Sequence, residues 1–199
     1  MSHQFMIYGA TGYTGKLVAR TAKQKGLAPL LSGRNPEKLK RIAQETGFEH
    51  QAIDLSDAAA LDAGLAQVDV VLHIAGPFSH TSRPMVDACL RTGTYYLDIT
   101  GEIDVFEACA ARSAEAKEKG VMLMPGVGFD VVPSDCLAAH MKRRMPDAVK
   151  LTLALSGLNS ASRGTAKTGV ESISLGTRVR RGGKIVSVSE PIVETFDFG

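Results

Sequence analysis

Gly9, Gly12 and Gly15 stand three residues apart, between an apolar run, Phe5-Met6-Ile7-Tyr8, and a segment of helical character, Lys16 to Ala22. Strand, glycine turn and helix, in that order, are the context in which a backbone grips a dinucleotide pyrophosphate. Glycine at 9 permits a tight turn. At 12 it lets the backbone approach phosphate, and at 15 it lets helix and strand pack closely. The helix N-terminus adds unpaired N–H groups and the positive end of its dipole. The spacing is G-x-x-G-x-x-G rather than G-x-G-x-x-G, so the motif rests on its flanks as much as on its glycines.

A second chemical cue follows the next strand candidate, Ala28-Pro29-Leu30-Leu31. An NAD site places an acid about 20 residues beyond the glycines, on the ribose 2′-hydroxyl. Arg34 lies 34 − 15 = 19 positions beyond Gly15, and the stretch offers Ser32, Arg34 and Asn35, with Lys38 one turn further on, and no acid. A guanidinium fork suits a 2′-phosphate. The expected cofactor is therefore NADP(H) rather than NAD(H).

Catalytic groups are harder to find. Asp98, Glu102 and Asp104 cluster after a strand candidate. They suit substrate orientation or proton relay; Glu102 and Asp104 equally suit the start of a helix, where acids are favoured. Asp130 sits in a glycine- and proline-flanked loop that reads as a pocket wall or a hinge. Glu102 and Asp130 are thus the candidate catalytic residues. His73, inside an apolar strand, reads as a hydrogen-bonded core residue, and His80 as a solvent-facing one. Cys136 follows Asp135 at a helix start, where a thiol is activated; with no paired histidine evident it is expected to be buried. No Cys or His spacing fits a metal site. A Y-x-x-x-K pair of the short-chain-dehydrogenase kind is excluded, because Tyr8, Tyr13, Tyr95 and Tyr96 are followed four residues later by Gly12, Leu17, Ile99 and Thr100. A semialdehyde or acyl-phosphate reductase would want a cysteine where Pro125-Gly126-Val127-Gly128 stands.

The elements that must position these residues alternate. Helices are expected over Pro36 to Thr46, Ser56 to Leu65 with Ser56 as N-cap, Arg83 to Arg91 and Glu102 to Lys119. Strands are expected over Phe48 to Ile53, Val68 to Ala75, Thr94 to Ile99 and Val121 to Met124. Repeated β-α units imply an α/β fold with a doubly wound parallel sheet of the Rossmann kind. Ligands on such sheets sit beyond the carboxyl ends of the strands. The 199 residues are 44% hydrophobic, enough for a sizeable core, and carry 23 basic against 21 acidic side chains. That balance offers no electrostatic case for nucleic acid. No apolar run is long enough for a membrane span. Three scattered cysteines, Cys89, Cys109 and Cys136, read as reduced thiols in a cytoplasmic protein.

The segments GATGYTGKLVAR, SGRNPEKL, AGPF, PMVDACLRTGTYYLDITGE, MPGVGFDVVPSDCLA and SRGTAKT resemble saccharopine dehydrogenase-like proteins, in particular the branch called trans-acting enoyl reductases. The resemblance implies an NADP-binding domain followed by an α/β domain for substrate and subunit contacts. It implies that Gly9, Thr11, Gly12, Tyr13, Thr14 and Gly15 hold the pyrophosphate, and that Ser32, Arg34 and Asn35 hold the adenosine phosphate. Asp54 would approach the adenine. Ala75, Gly76, Pro77 and Phe78 would lie along the ribose and nicotinamide. No motif matches the catalytic residues of the relatives' second domain.

The rhythm changes after Pro146. A strand is expected over Val149 to Leu155, a helix over Thr165 to Leu175, and a strand over Lys184 to Val188 after the turn Gly182-Gly183. The expected organisation is a dinucleotide-binding domain over 1–145 and a partial second domain over 146–199. Relatives are longer and the second part is short for its own core, so a truncated chain is expected. The function expected is an NADP(H)-dependent oxidoreductase transferring hydride to or from a small-molecule or acyl substrate, with a homo-oligomer as the expected assembly. The alternative is a non-catalytic NADP-sensing protein.

Overall fold

The computed structural model describes residues 3–129, 131–153, 170, 176–189, 193, 195 and 197. Two compact units divide the chain, 1–144 and 145–199.

The first unit alternates strand and helix: β1 (His3–Tyr8), α1 (Tyr13–Gln24), β2 (Leu30–Gly33), α2 (Pro36–Thr46), β3 (His50–Ala52), α3 (Ala58–Leu65), β4 (Val68–His73), α4 (Phe78–Thr92), β5 (Tyr95–Asp98), α5 (Ile103–Ala111), α6 (Ser113–Glu118), β6 (Leu123–Met124) and α7 (Val132–Arg144). The strands form one sheet in the order β3-β2-β1-β4-β5-β6. All its pairs are parallel. This is the doubly wound α/β architecture that the β-α rhythm predicts. Its order reverses between β1 and β4, the place where sheets of this kind take ligands at their carboxyl ends.

Period-two alternation builds a core on each face. Met6, Tyr8 and Leu30 pack on one face with Leu61 and Leu65 of α3, Met85 and Cys89 of α4, and Val105 of α5. Ile7 and Leu31 point to the other and meet Ala19 of α1 and Leu39 and Ile42 of α2. Covering both faces explains why β1 and β4 read as nearly unbroken apolar runs.

Local chemistry sets most of the ends. Pro36 opens α2 behind the Asn35 cap, and Gly47 closes it at φ +82. Three expectations need correction. The N-cap of α3 is Asp57, whose side chain accepts from the Ala60 N–H; the Ser56 N–H instead donates to Asp54. The stretch Glu102 to Lys119 is two helices, broken at Arg112, whose guanidinium is held by Asp87 and Glu115. Helix α4 begins at Phe78, five residues before the expected start, and contains Pro84.

In the second unit, β7 (Thr177–Arg181) and β8 (Lys184–Val188) form an antiparallel hairpin. Gly182 and Gly183 turn it at φ +57 and +79, the conformation two-residue hairpin turns require. Residues 149–153 form no strand, and the rest of that expected strand lies outside the described residues. So does the helix expected over Thr165 to Leu175, apart from Val170.

Candidate functional site

The loops that follow β1 and β4 meet backbone to backbone. Gly9 has φ +92, and a Cβ there would stand 2.9 Å from the Ala75 nitrogen and the Ile74 carbonyl carbon. Any side chain would be strained and would push the loops apart. At Gly15 a Cβ would collide with the Gly9 carbonyl oxygen and approach the Ala10 Cα to 2.8 Å. Gly12 differs, because a Cβ there would meet only the Gly9 oxygen, in ordinary contact at 3.4 Å. Protein atoms leave the space beside Gly12 open. Gly12 is also the N-cap of α1, which has no side-chain cap and no acid in its first turn. The helix start keeps donors and positive dipole free for an anion. Thr11 and Thr14 are half-buried at this turn, and Tyr13 stands out at 73% exposure.

The end of β2 locks onto the same turn. The Ser32 carbonyl accepts from the N–H groups of Gly9 (2.8 Å) and Ala10 (3.1 Å). Ser32 itself is fully buried, and its hydroxyl donates to the Gln51 carbonyl of β3. The Asn35 side chain accepts from the Lys38 N–H and caps α2. Both side chains, expected at the adenosine phosphate, are thus engaged in the fold itself. Arg34 is exposed and lies near Asp54. The N–H and hydroxyl of Ser56, and then the Arg34 charge, hold the Asp54 carboxyl below the usual range.

Sequence reasoning missed two cations. Between α1 and α2, next to Thr11, a hollow of about 210 Å³ is lined by Lys16, Lys38, Arg41, Ile42 and Glu45. Its one carboxylate, Glu45, is taken by Arg20, which donates to both oxygens at 2.5 and 3.1 Å. The hollow therefore presents a net positive lining beside the glycine turn. Part of the signal is local, since Lys38 and Arg41 are three apart on a helix and share a face and Lys16 directly follows Gly15; what joins them is the packing of α1 against α2.

At the end of β4, His73 is fully buried among Tyr8, Phe78 and Tyr96. Its Nε2 lies 3.0 Å from the Thr81 hydroxyl. That hydroxyl donates to the carbonyls of Ala75 (2.6 Å) and Pro77 (3.0 Å), so its one proton is committed. The ring therefore donates from Nε2, and Nδ1 has no partner. The expected core position holds, but the ring is only half satisfied. Burial pushes its pKa down to about 3. Ala75 and Pro77 are half-buried, Gly76 is exposed and Phe78 is buried.

Asp98, the last residue of β5, and Glu102, at the start of α5, behave differently. Asp98 is fully buried. Its carboxylate accepts from the Tyr96 hydroxyl (2.5 Å), the Thr100 N–H (2.9 Å) and the Gly126 N–H (2.8 Å). Burial raises its pKa against the pull of those donors. Glu102 crosses to α4, where its two oxygens accept from the N–H groups of Phe78 (2.9 Å) and Ser79 (2.6 Å). Asp130 lies outside the described residues. Cys136 is exposed on α7, contrary to expectation, because that helix buries none of its residues. Among the described residues no His, Cys, Asp and Glu cluster could hold a metal ion.

A parallel sheet reversed at β1 and β4, with room for phosphate where it reverses, places the molecule among dinucleotide-binding proteins of the Rossmann type. Comparison with known proteins narrows that class. Residues 5–124 match the family described as Saccharopine dehydrogenase NADP binding domain. Trans-acting enoyl reductase of Mycobacterium leprae is 34% identical over 148 residues, which are 70% of this chain and 35% of that protein. Saccharopine dehydrogenase-like oxidoreductase of Mus musculus is 28% identical over 179 residues, 80% of this chain and 42% of that protein. Among solved structures, apo saccharopine dehydrogenase (L-Glu forming) from Saccharomyces cerevisiae shares the fold at a TM-score of 0.63 and 20% identity, covering 71% of this chain and 31% of that one. The chain belongs to the saccharopine dehydrogenase NADP-binding family, and its cofactor is NADP(H). It spans 35% and 42% of the length of those two relatives.

Proposed function

We propose that this chain is the cofactor-binding part of an NADP(H)-dependent oxidoreductase that transfers hydride to or from a small-molecule or acyl substrate. The observation that carries the reading is the uncapped start of α1 at Gly12, open on one side and flanked by cations on the other. The pyrophosphate fits against Gly9, Thr11, Gly12, Tyr13, Thr14 and Gly15. The 2′-phosphate fits between Arg34 and the hollow of Lys16, Lys38 and Arg41. Asp54 flanks the adenosine, and Ala75, Gly76, Pro77 and Phe78 line the way to the nicotinamide. Bound there, the cofactor supplies the hydride, while the protein orients it and excludes water. The name of the Mycobacterium leprae relative makes an enoyl group one acceptor class to test; carbonyl and imine acceptors are the others.

Domain 1–145 carries the cofactor loops in this reading, and 146–199 belongs to a part that faces substrate and a second copy. Three unpaired cysteines support a reducing, cytoplasmic setting. Among the described residues no helix is long and apolar enough to cross a membrane.

The test is loss of NADPH absorbance with a panel of enoyl, carbonyl and imine acceptors, for this chain and for longer versions. Turnover with one acceptor class supports the reading. Tight NADPH binding without oxidation in any version supports an NADP-sensing protein instead. That second reading draws on Glu102, whose carboxylate is spent on backbone donors rather than aimed at a substrate.

A further inference from the structure

We propose that Glu102 is a positioning residue for the nicotinamide end of the cofactor, acting through the first turn of α4 and the Ala75–Phe78 loop. The proposal rests on the NADP(H) reading above. Helices α1 to α4 each follow a strand of the parallel sheet and so start at its carboxyl edge, as α5 does after β5. Asn35 and Asp57 cap α2 and α3 from their own N-termini. Helix α1 is left uncapped at Gly12. Helix α4 also lacks a local cap, since Pro77 stands at its N-cap position. Its first donors are instead taken by a carboxylate 24 and 23 residues away in sequence. The two helix starts that flank the sheet reversal are thus opposites, one open to an anion and one closed by the protein's own.

Glu102 is itself held in place. It is the N-cap residue of α5, yet its side chain does not cap that helix. Its N–H donates to the Thr100 hydroxyl at 3.0 Å. The Thr100 N–H donates to Asp98, which also takes the Gly126 N–H, while the Asp98 carbonyl accepts from the Val127 N–H at 2.7 Å. One run of hydrogen bonds therefore joins the buried end of β5 to the loops after β4 and β6. Thr81 holds the β4 loop from the other side, through the Ala75 and Pro77 carbonyls. A carboxylate placed on two backbone donors at a helix start is a strong, charge-assisted clamp. Removing it leaves two N–H groups to find water, and frees the loop that runs along the nicotinamide ribose.

The experiment titrates the 199-residue chain with NADPH and with 2′,5′-ADP, which shares the adenosine phosphates and lacks the nicotinamide half. Parent, Glu102→Gln and Glu102→Ala are compared, with thermal unfolding alongside. Glu102→Ala is expected to weaken NADPH about tenfold, in line with loss of charged hydrogen bonds, and to leave 2′,5′-ADP within about twofold. Glu102→Gln, which keeps one acceptor oxygen and most of the packing, is expected to fall between; it decides the matter if the alanine variant does not fold. Equal weakening of both ligands means a general structural role and overturns the proposal. Unchanged NADPH affinity in Glu102→Gln overturns it too, and would fit a proton-transfer role. A parent chain that binds neither ligand overturns the NADP(H) reading itself.

Discussion

Three glycines three residues apart invite the same explanation, and the structure separates them. At 12 the Cβ of a valine meets only the Gly9 oxygen, in ordinary contact, and its side chain enters the space beside the uncapped helix start. Gly12→Val is therefore expected to abolish NADP(H) binding while circular dichroism and unfolding stay near the parent's. Gly15→Ala is expected to do the reverse first: its methyl runs into the Gly9 carbonyl, so unfolding should shift downward by an overpacking cost of about 1–3 kcal/mol. Normal nucleotide binding by Gly12→Val would place the phosphates elsewhere. The cations belong to the same scale. NADP(H) is expected to bind at least about tenfold tighter than NAD(H), roughly 1.4 kcal/mol. Arg34→Ala and Lys38→Ala should each narrow that gap, and Arg34→Ala/Arg41→Ala should nearly close it. Calorimetry with both cofactors measures it; equal affinities in the parent chain would remove the argument.

Between elements, β4 and α4 are joined by His73 and Thr81, and this joint is sensitive to acid. The imidazole ordinarily titrates near 6.5 and is held down to about 3 in the folded chain. Between those values the unfolded chain binds the proton and the folded chain does not, so stability rises with pH across that window and is flat above it. One such proton is worth about 1.4 kcal/mol per pH unit. His73→Phe keeps an apolar ring in the aromatic setting and cannot titrate. Relative to the parent it is expected to gain about 2 kcal/mol between pH 7 and pH 5, read from urea unfolding at both values. A parent and variant that lose stability in parallel would show that another group carries the acid response. The same joint shows where sequence reading ran out. Helix α2 was legible end to end because Asn35, Pro36 and Gly47 are local signals. The start of α4 was not, because its cap is Glu102, brought close only by the fold. The break at Arg112 has no glycine or proline to announce it and coincides with ion pairs to Asp87 and Glu115. Strand β7, Thr-Arg-Val-Arg-Arg, hid behind its charges. Residues 149–153 alternate like a strand, yet Val149, Leu151 and Leu153 remain exposed. At the site, the glycine turn and Arg34 stood out in the sequence, whereas Lys16 and Arg41 matter only once α1 and α2 lie side by side.

For the whole molecule, both hydrophobic clusters found among the described residues, and every loop of the proposed cofactor site, lie within the unit 1–144. A chain ending after Arg144 is expected to fold and to bind NADP(H) with the parent's affinity. Helix α7 would remain its weak point, since it buries none of its residues and exposes Val132, Leu137 and Met141. Apolar surface of that kind favours self-association, so light scattering should accompany the titration. Loss of binding on removing 145–199 would mean that the second unit completes the site. The strand order also has a consequence for how the protein is made. Strand β1 pairs on one side with β2, and on the other with β4, where Tyr8 lies opposite His73, 73 − 8 = 65 residues later. At roughly 5–20 residues per second, a ribosome needs on the order of 3–13 seconds to deliver that partner. Throughout that interval the innermost strand of the finished sheet is its raw outer margin, an unpaired edge open to wrong partners until β4 arrives.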